Sequence, residues 1–373
     1  MKKGVLFVGS FMREAKDGHV GGQMFACNSL LNSSLADDYN WFLVDSTSES
    51  VFTPSFLNRV LRAFKRILKV FSILICNNNK VDTLLIFTVD GFSFIEKGLI
   101  LFIGKLFGKR TVIAPRSGLF LNDFKRPFFK WFIKLVFSKA DWIVCQGQSW
   151  KDFFLSEIRE LSSVKLIVIN NWINPDLYAG RIKFRPTKRI IITYIGWFEE
   201  FKGIYDLFQV IDRINSDSDL GSRVEFRLAG EGSKFQDIAS MVNSNSYRNV
   251  KLLGWVLNEE KTKLLSDTDI YVQLSHVEGF PNSILEAMAS GKAVLCTKVG
   301  AVADLVADGV NGFMVPPLNP DEAYKKLLVL IEDQSMRLKM AKNAEETVRD
   351  RFVLEQAVEK FNIILNYNTT CAE

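Results

Sequence analysis

Residues 271–296 read YVQLSHVEGFPNSILEAMASGKAVLC. The opening Tyr271–Leu274 is an uncharged run with strand character, and it delivers Ser275–Phe280 as a loop. Pro281 suits the first turn of a helix, where its missing N–H costs nothing. Gly291 supplies the C-terminal stop of that helix, and Ala293–Cys296 begins a second apolar run. Two strands joined through a helix pair in parallel. Two carboxylates ride on this unit, Glu278 in the loop and Glu286 about one and a half turns into the helix. The N–H groups of the first turn, from Asn282 onward, make an anion site beside both. Phosphate suits such amides, and the carboxylates suit the hydroxyls of a sugar or ribose. The spacing therefore reads as a nucleotide-sugar site. By spacing alone it reads equally well as a helix cap at Glu278 and a surface residue at Glu286.

The same alternation runs outward through the whole chain. Strands are expected at Val5–Val8, Trp41–Val44, Leu84–Thr88, Thr111–Ala114, Trp142–Cys145 and Leu166–Ile169. Helices fit between them, at Gly22–Leu31, Phe94–Phe107 and Phe124–Phe137. A second series of strands follows at Ile190–Ile195, Glu225–Ala229, Val250–Leu252, Tyr271–Leu274, Ala293–Cys296 and Phe313–Val315. Between the two series lies Tyr178–Lys188 (YAGRIKFRPTK), polar and holding one proline. At 373 residues, with domains of roughly 150, about two domains are expected. We place them at 1–180 and 181–352, with a last helix at about 353–373 packing back on the first. The fold class is α/β, two doubly wound Rossmann-like domains facing across a cleft, with ligands beyond the C-terminal strand ends.

Composition excludes other classes. Hydrophobic residues at 48% and charged residues at 24% are those of a folded globular chain. The five cysteines are odd in number and scattered, and there are two histidines, His19 and His276. A disulfide framework or a structural zinc site is not expected, which favours a reducing compartment. The start, MKKGVLFVGS, has too short an apolar run for a signal sequence and reads as a buried strand. The longest uncharged apolar run, Gly98–Gly104, is far short of the roughly 18 residues that span a bilayer.

Charge is uneven. Net charge is +5, made of +8 over residues 1–180 and −3 over residues 181–373, and residues 51–140 alone carry +12. Within that stretch Leu57, Val60, Leu61, Phe64, Ile67, Leu68 and Phe71 fall at helical spacing, with Arg59, Arg62, Lys65, Arg66 and Lys69 on the remaining face. A second basic stripe, Arg126, Lys130 and Lys134, runs beside Phe128, Phe129, Trp131 and Phe132. These read as docking on an anionic membrane surface. The plainer reading is two surface helices with their apolar faces in the core. No nucleic-acid-binding motif accompanies the charge, so nucleic acid is not an expected partner.

The segment from Glu278 to Glu286 resembles the Glu-x7-Glu signature of retaining glycosyltransferases of family 4, which have the GT-B fold. Other elements follow in that family's order. Gly21-Gly22 resembles its glycine loop, Tyr194–Gly196 with Lys202-Gly203 its Gly-Arg…Lys-Gly element, and Leu228–Gly232 its Gly-x-Gly turn. Asn249–Gly254 and Val299–Val315 resemble its late pattern. The likeness is specific over about residues 190–320 and loose over 1–180, which in this family follow the acceptor.

The resemblance implies a retaining hexosyltransferase of bacterial surface-polysaccharide type. The donor is a nucleotide diphosphate sugar and the acceptor a glycan or lipid-linked glycan, at the cytoplasmic face of the membrane. Glu286 is implied to bind the ribose hydroxyls, and Glu278 to contact the hexose. Gly279, Phe280, Asn282 and Ser283 are implied to hold sugar and phosphate through backbone amides, with Gly196 nearby. Lys202 is implied to neutralise the diphosphate leaving group, and Gly21-Gly22 to let the acceptor-side loop approach it.

Two positions depart from the family. Trp197 stands where an arginine is usual, which leaves one diphosphate cation to come from elsewhere, with Arg116, Arg13 and Lys16 as candidates. Asp304 stands where glutamate is frequent. No Asp-x-Asp motif is present, so metal-independent catalysis without a cofactor is expected. His19, Arg116 and His276 are acceptor or phosphate candidates, each with a plain structural alternative. A nucleotide-sugar-binding protein or an epimerase of related fold is the alternative class.

Overall fold

The computed structural model describes residues 2–11, 22–47, 55–178, 189–245 and 247–366. It divides into two compact units. Unit 1 is Met1–Asn171 with Leu354–Glu373, and unit 2 is Trp172–Val353. The division falls at Asn171/Trp172, before the polar stretch at which we placed it. Most of that stretch lies outside the described residues.

Unit 1 holds β1 (Gly4–Gly9), β2 (Asn40–Asp45), β3 (Thr83–Thr88), β4 (Arg110–Pro115), β5 (Trp142–Cys145) and β6 (Leu166–Val168). They form one sheet in the order β2-β1-β3-β4-β5-β6, with every pairing parallel. β1 and β3 are buried at every position, as strands covered by helices on both faces must be. Continuous apolar runs such as Val5–Val8 and Leu84–Phe87 satisfy that requirement.

Unit 2 holds β7 (Ile190–Ile195), β8 (Val224–Ala229), β9 (Val250–Gly254), β10 (Ile270–Gln273), β11 (Ala293–Thr297) and β12 (Phe313–Val315). The order is β12-β11-β10-β7-β8-β9, again all parallel. Read from β9, this is the doubly wound order whose topological switch point lies between its first and fourth strands, here β7 and β10. The core of the unit packs Phe208, Val210, Ile211 and Ile214 of the Ile204–Ser216 helix against Phe226, Leu228 and Ile270 of the sheet.

The Leu354–Asn366 helix packs on unit 1. Tyr39 donates to Asn362 Oδ1 at 2.5 Å, Arg110 donates to the Ile364 and Leu365 carbonyls at 3.4 and 3.1 Å, and the Phe87 and Phe361 rings lie 6.0 Å apart.

The basic segment of unit 1 is one helix, Phe56–Cys76, and its facing is not the plain one. Val70 and Leu74 are its buried residues. Arg66, grouped with the solvent-facing cations on sequence, instead points into the protein. Its Nε and Nη2 each bond Glu96 at 2.7 Å. A bidentate guanidinium–carboxylate pair meets the electrostatic demand of the 6% exposed Glu96, which also lies 3.2 Å from the buried Lys97. The apolar stripe is left facing outward.

Candidate active site

Two loops leave the carboxyl ends of β7 and β10, the strands that flank the switch point. The first carries Gly196, Trp197 and the short helix Glu200–Lys202, and ends on Gly203 with φ +68°. A Cβ at Gly203 would stand 1.8 Å from the Leu274 carbonyl oxygen. Only glycine serves there, because it takes this dihedral and lets the first loop lie against the second. The His276 amide donates to the Phe201 carbonyl at 2.8 Å and joins the loops again.

This contact brings Lys202 to Glu278. Lys202 Nζ lies 2.8 Å from Glu278 Oε1. The same oxygen accepts from Gln273 Nε2 at 2.6 Å and from Ser275 Oγ at 2.8 Å. Glu278 is 8% exposed, so a cation and two neutral donors together offset its desolvation. Gln273 is itself oriented, since its Oε1 accepts from Ser283 Oγ at 2.6 Å and from the Tyr271 hydroxyl at 2.9 Å. Burial pushes the Tyr271 phenol far above its ordinary value and keeps it a donor. The amide of Gln273 therefore has one workable orientation, with Nε2 toward Glu278.

The helix after the second loop is Asn282–Ala289. Pro281, expected in its first turn, has ψ 114° and stands just before it as the cap position. Extended backbone there lets the chain turn into the helix, and the Pro281 carbonyl takes the first helical bond from Leu285 N at 3.2 Å. At the other end Gly291, with φ +64°, closes the helix as expected. Its N–H bonds the Met288 carbonyl and the Lys292 N–H bonds the Ala287 carbonyl, the paired bonds of a Schellman stop.

Glu286 sits on this helix with its side chain 15% exposed, and Lys261 Nζ lies 2.6 Å from its Oε1. Sequence reading missed Lys261, a lysine in the polar helix Asn258–Asp267 with no pattern to mark it. It also missed Gln273 and Ser275, whose roles depend on contacts and not on spacing. Phe280 is 4% exposed and its ring packs 5.4 Å from Phe352, so only its backbone can serve a ligand. Gly196 continues the ladder of β7 with its N–H on the Ala229 carbonyl at 3.0 Å. The Trp197 ring pairs with Trp255 at 4.8 Å.

The structure thus gathers Lys202, Glu278, Gln273 and Ser283 in unit 2, and sets Glu286 on the helix that carries Ser283. His276 is held by Asp206, Nε2 to Oδ2 at 2.7 Å, which is the structural bond left open on sequence. Arg116 belongs to unit 1, where it follows β4, donates to Asn171 Oδ1 at 2.7 Å and lies over the Phe87 ring. Gly22 opens the Gly22–Leu31 helix. Gly21, His19, Arg13 and Lys16 lie outside the described residues.

Residues 180–347 match the family model described as glycosyl transferases group 1. An uncharacterized glycosyltransferase of Methanocaldococcus jannaschii is 23% identical over 235 residues, which is 62% of this chain and 59% of that protein. The chain spans little more than half the length of the curated relatives it matches, at 59% and 57%. Among solved structures, HepE of Anabaena in complex with UDP has a TM-score of 0.73 at 18% identity, covering 98% of this chain and 99% of that one. HepE has also been solved with UDP-glucose. The lipopolysaccharide outer core galactosyltransferase WaaB has a TM-score of 0.69 at 17% identity, covering 98% and 99%. Residues 180–347 are therefore similar to the group 1 glycosyl transferases, and the chain that carries them has the GT-B fold.

Proposed function

We propose that this protein is a retaining glycosyltransferase. It moves a hexose from a nucleotide diphosphate sugar to a lipid-linked glycan at the cytoplasmic face of a membrane, in the synthesis of a surface polysaccharide. The observation that carries the reading is the 2.8 Å Lys202–Glu278 pair at the switch point of unit 2, beside the start of the helix that bears Glu286. The UDP and UDP-glucose complexes of HepE and the galactosyl transfer named for WaaB support a nucleotide-activated hexose as the donor class.

The chemistry follows from the charges. As the bond from the anomeric carbon to the β-phosphate breaks, negative charge grows on the phosphate oxygen. Lys202 and the N–H groups of the Asn282–Ala289 helix start are fixed positive ends that stabilise that charge more than the ground state. The carboxylate of Glu286 accepts hydrogen bonds from the ribose hydroxyls. Glu278, held rigid by Gln273 and Ser275, takes a hexose hydroxyl. The acceptor hydroxyl attacks from the face that the leaving group vacates and passes its proton to the departing phosphate, which retains the anomeric configuration.

The test is a mass-spectrometric screen of nucleotide sugars with membrane extract as acceptor, followed by NMR of the product. A hexose added with the donor's anomeric configuration is the expected result. Inversion would remove the retaining assignment. Donor binding with no transfer to any extract would make the chain a binding protein.

A further inference from the structure

The Phe56–Cys76 helix turns its apolar stripe away from the protein. Leu57, Leu61, Phe64, Leu68, Phe71 and Ile75 recur every three or four residues, on one face, and are 44–66% exposed. The opposite side makes the packing, through Val70, Leu74 and the Arg66–Glu96 pair.

At its N-terminal end the stripe joins aromatics of two more helices. Phe56 meets Phe92 at 5.8 Å, Phe92 meets Phe129 at 6.1 Å, and Phe128 meets Trp131 at 6.1 Å. Phe56, Phe92, Phe128 and Trp131 are 53–64% exposed. This is a continuous apolar patch and not a scatter of single side chains. Cations border it. Arg59 stands 5.8 Å over the Phe92 ring and Arg126 4.0 Å over the Phe129 ring. Lys65 and Lys69 are exposed along the stripe.

An apolar face with a basic border fits the interfacial layer of an anionic bilayer, where such a helix lies in the plane with its apolar side sunk about 5–10 Å. A second copy fits poorly, because it would bring the same basic border, part of a segment of net charge +12, against itself. No helix of the described residues is long and apolar enough to cross a membrane, so contact of this kind is peripheral.

We propose that the outward face of the Phe56–Cys76 helix, extended by Phe92, Phe128 and Trp131, inserts into the interface of an anionic bilayer and anchors the protein there. The proposal gives the membrane location above a named surface. Vesicle binding needs neither donor nor acceptor, so the transferase reading can fail while this one stands, and the reverse.

The experiment is co-sedimentation of the full chain with phosphatidylcholine vesicles, with and without phosphatidylglycerol. Binding is expected to the anionic vesicles, weakening steeply with salt because exposed charges are screened within about 8 Å at physiological ionic strength. The triple variant Leu61→Ser, Phe64→Ser, Leu68→Ser is expected to lose at least about a hundred-fold in affinity. Lys65→Gln with Lys69→Gln is expected to lose roughly thirty-fold on anionic vesicles alone. All five side chains are exposed, so thermal melting followed by circular dichroism should show an intact fold. Arg66 is left in place because its partner is Glu96. Equal binding to neutral and anionic vesicles overturns the proposal. So does a triple variant that binds as the parent does. A concentration-dependent dimer in sedimentation velocity that the triple variant breaks assigns the face to self-association and overturns it as well.

Discussion

Glu278 Oε1 gathers three donors, and one of them is a cation. Removing Lys202 therefore leaves Glu278 with Gln273 and Ser275, and the loop keeps its glycine-based contact with Leu274. The expected result of Lys202→Ala is a folded protein whose turnover falls by roughly a hundred-fold or more, the loss seen when one group aimed at transition-state charge is removed. Steady-state kinetics with the cognate donor measure it, and a near-parental rate would take Lys202 away from the leaving group. Glu286→Gln is expected to behave differently. A ribose contact is made in ground and transition states alike, so the loss should appear as weaker binding of free nucleoside diphosphate, on the order of ten-fold. Calorimetric titration reads it directly, and unchanged affinity would remove Glu286 from the nucleotide site. Both carboxylates stood out as candidates because each sits at a fixed offset from a glycine or proline signal. Lys261 did not, since nothing in NEEKTKLLSD separates a lysine that reaches Glu286 from one that faces water.

At the scale of elements, the central strands among the described residues, β1, β3, β10 and β11, were legible for a physical reason. A strand covered on both faces must be apolar throughout, and such runs stand out between turn residues. Helices were legible as periods but not as orientations. The spacing from Leu57 to Phe71 shows that an apolar face exists, whereas its direction is set by what the other side can bind. Here the other side offers Arg66 to the buried Glu96, with Lys97 beside it. Burial alone would raise the pKa of Glu96, but the hydrogen bonds from Arg66 and the charge of Lys97 prevail and hold it below the usual carboxylate range. A depressed folded value means that Glu96 contributes stability above the ordinary carboxylate pKa, and that this is lost as pH falls through the folded value. Glu96→Gln is therefore expected to cost roughly 3–5 kcal/mol of stability at neutral pH by stranding buried partners, and so to lower the melting temperature. It should also flatten the acid side of the stability curve. Melting followed from pH 7 down to about 3 tests both. An acid limb as steep in the variant as in the parent would mean that another carboxylate governs it.

For the whole molecule, chain order and spatial order disagree at the C-terminus. The chain leaves unit 1 at Asn171 and returns to it at Leu354. The two ends of unit 2 lie side by side, with Ile173 N bonded to the Phe352 carbonyl at 2.9 Å and Ile173 bridged to Val353. Neighbouring termini suit a unit that closes its own core, so unit 2 is expected to hold without the residues beyond Val353. Unit 1 is not. The Leu354–Asn366 helix buries Phe361, Ile364 and Leu365, and Lys360 donates to the Val168 carbonyl at 3.1 Å beside β6. Stripping three large apolar side chains from a core exposes their partners and costs several kcal/mol, on the order of a domain's whole stability. Truncation after Val353 is therefore expected to unfold or loosen unit 1 while unit 2 stays folded. Hydrogen exchange read by mass spectrometry separates the two, with protection lost across β1–β6 and retained across β7–β12. Equal loss in both sheets would show that unit 2 cannot stand without its neighbour.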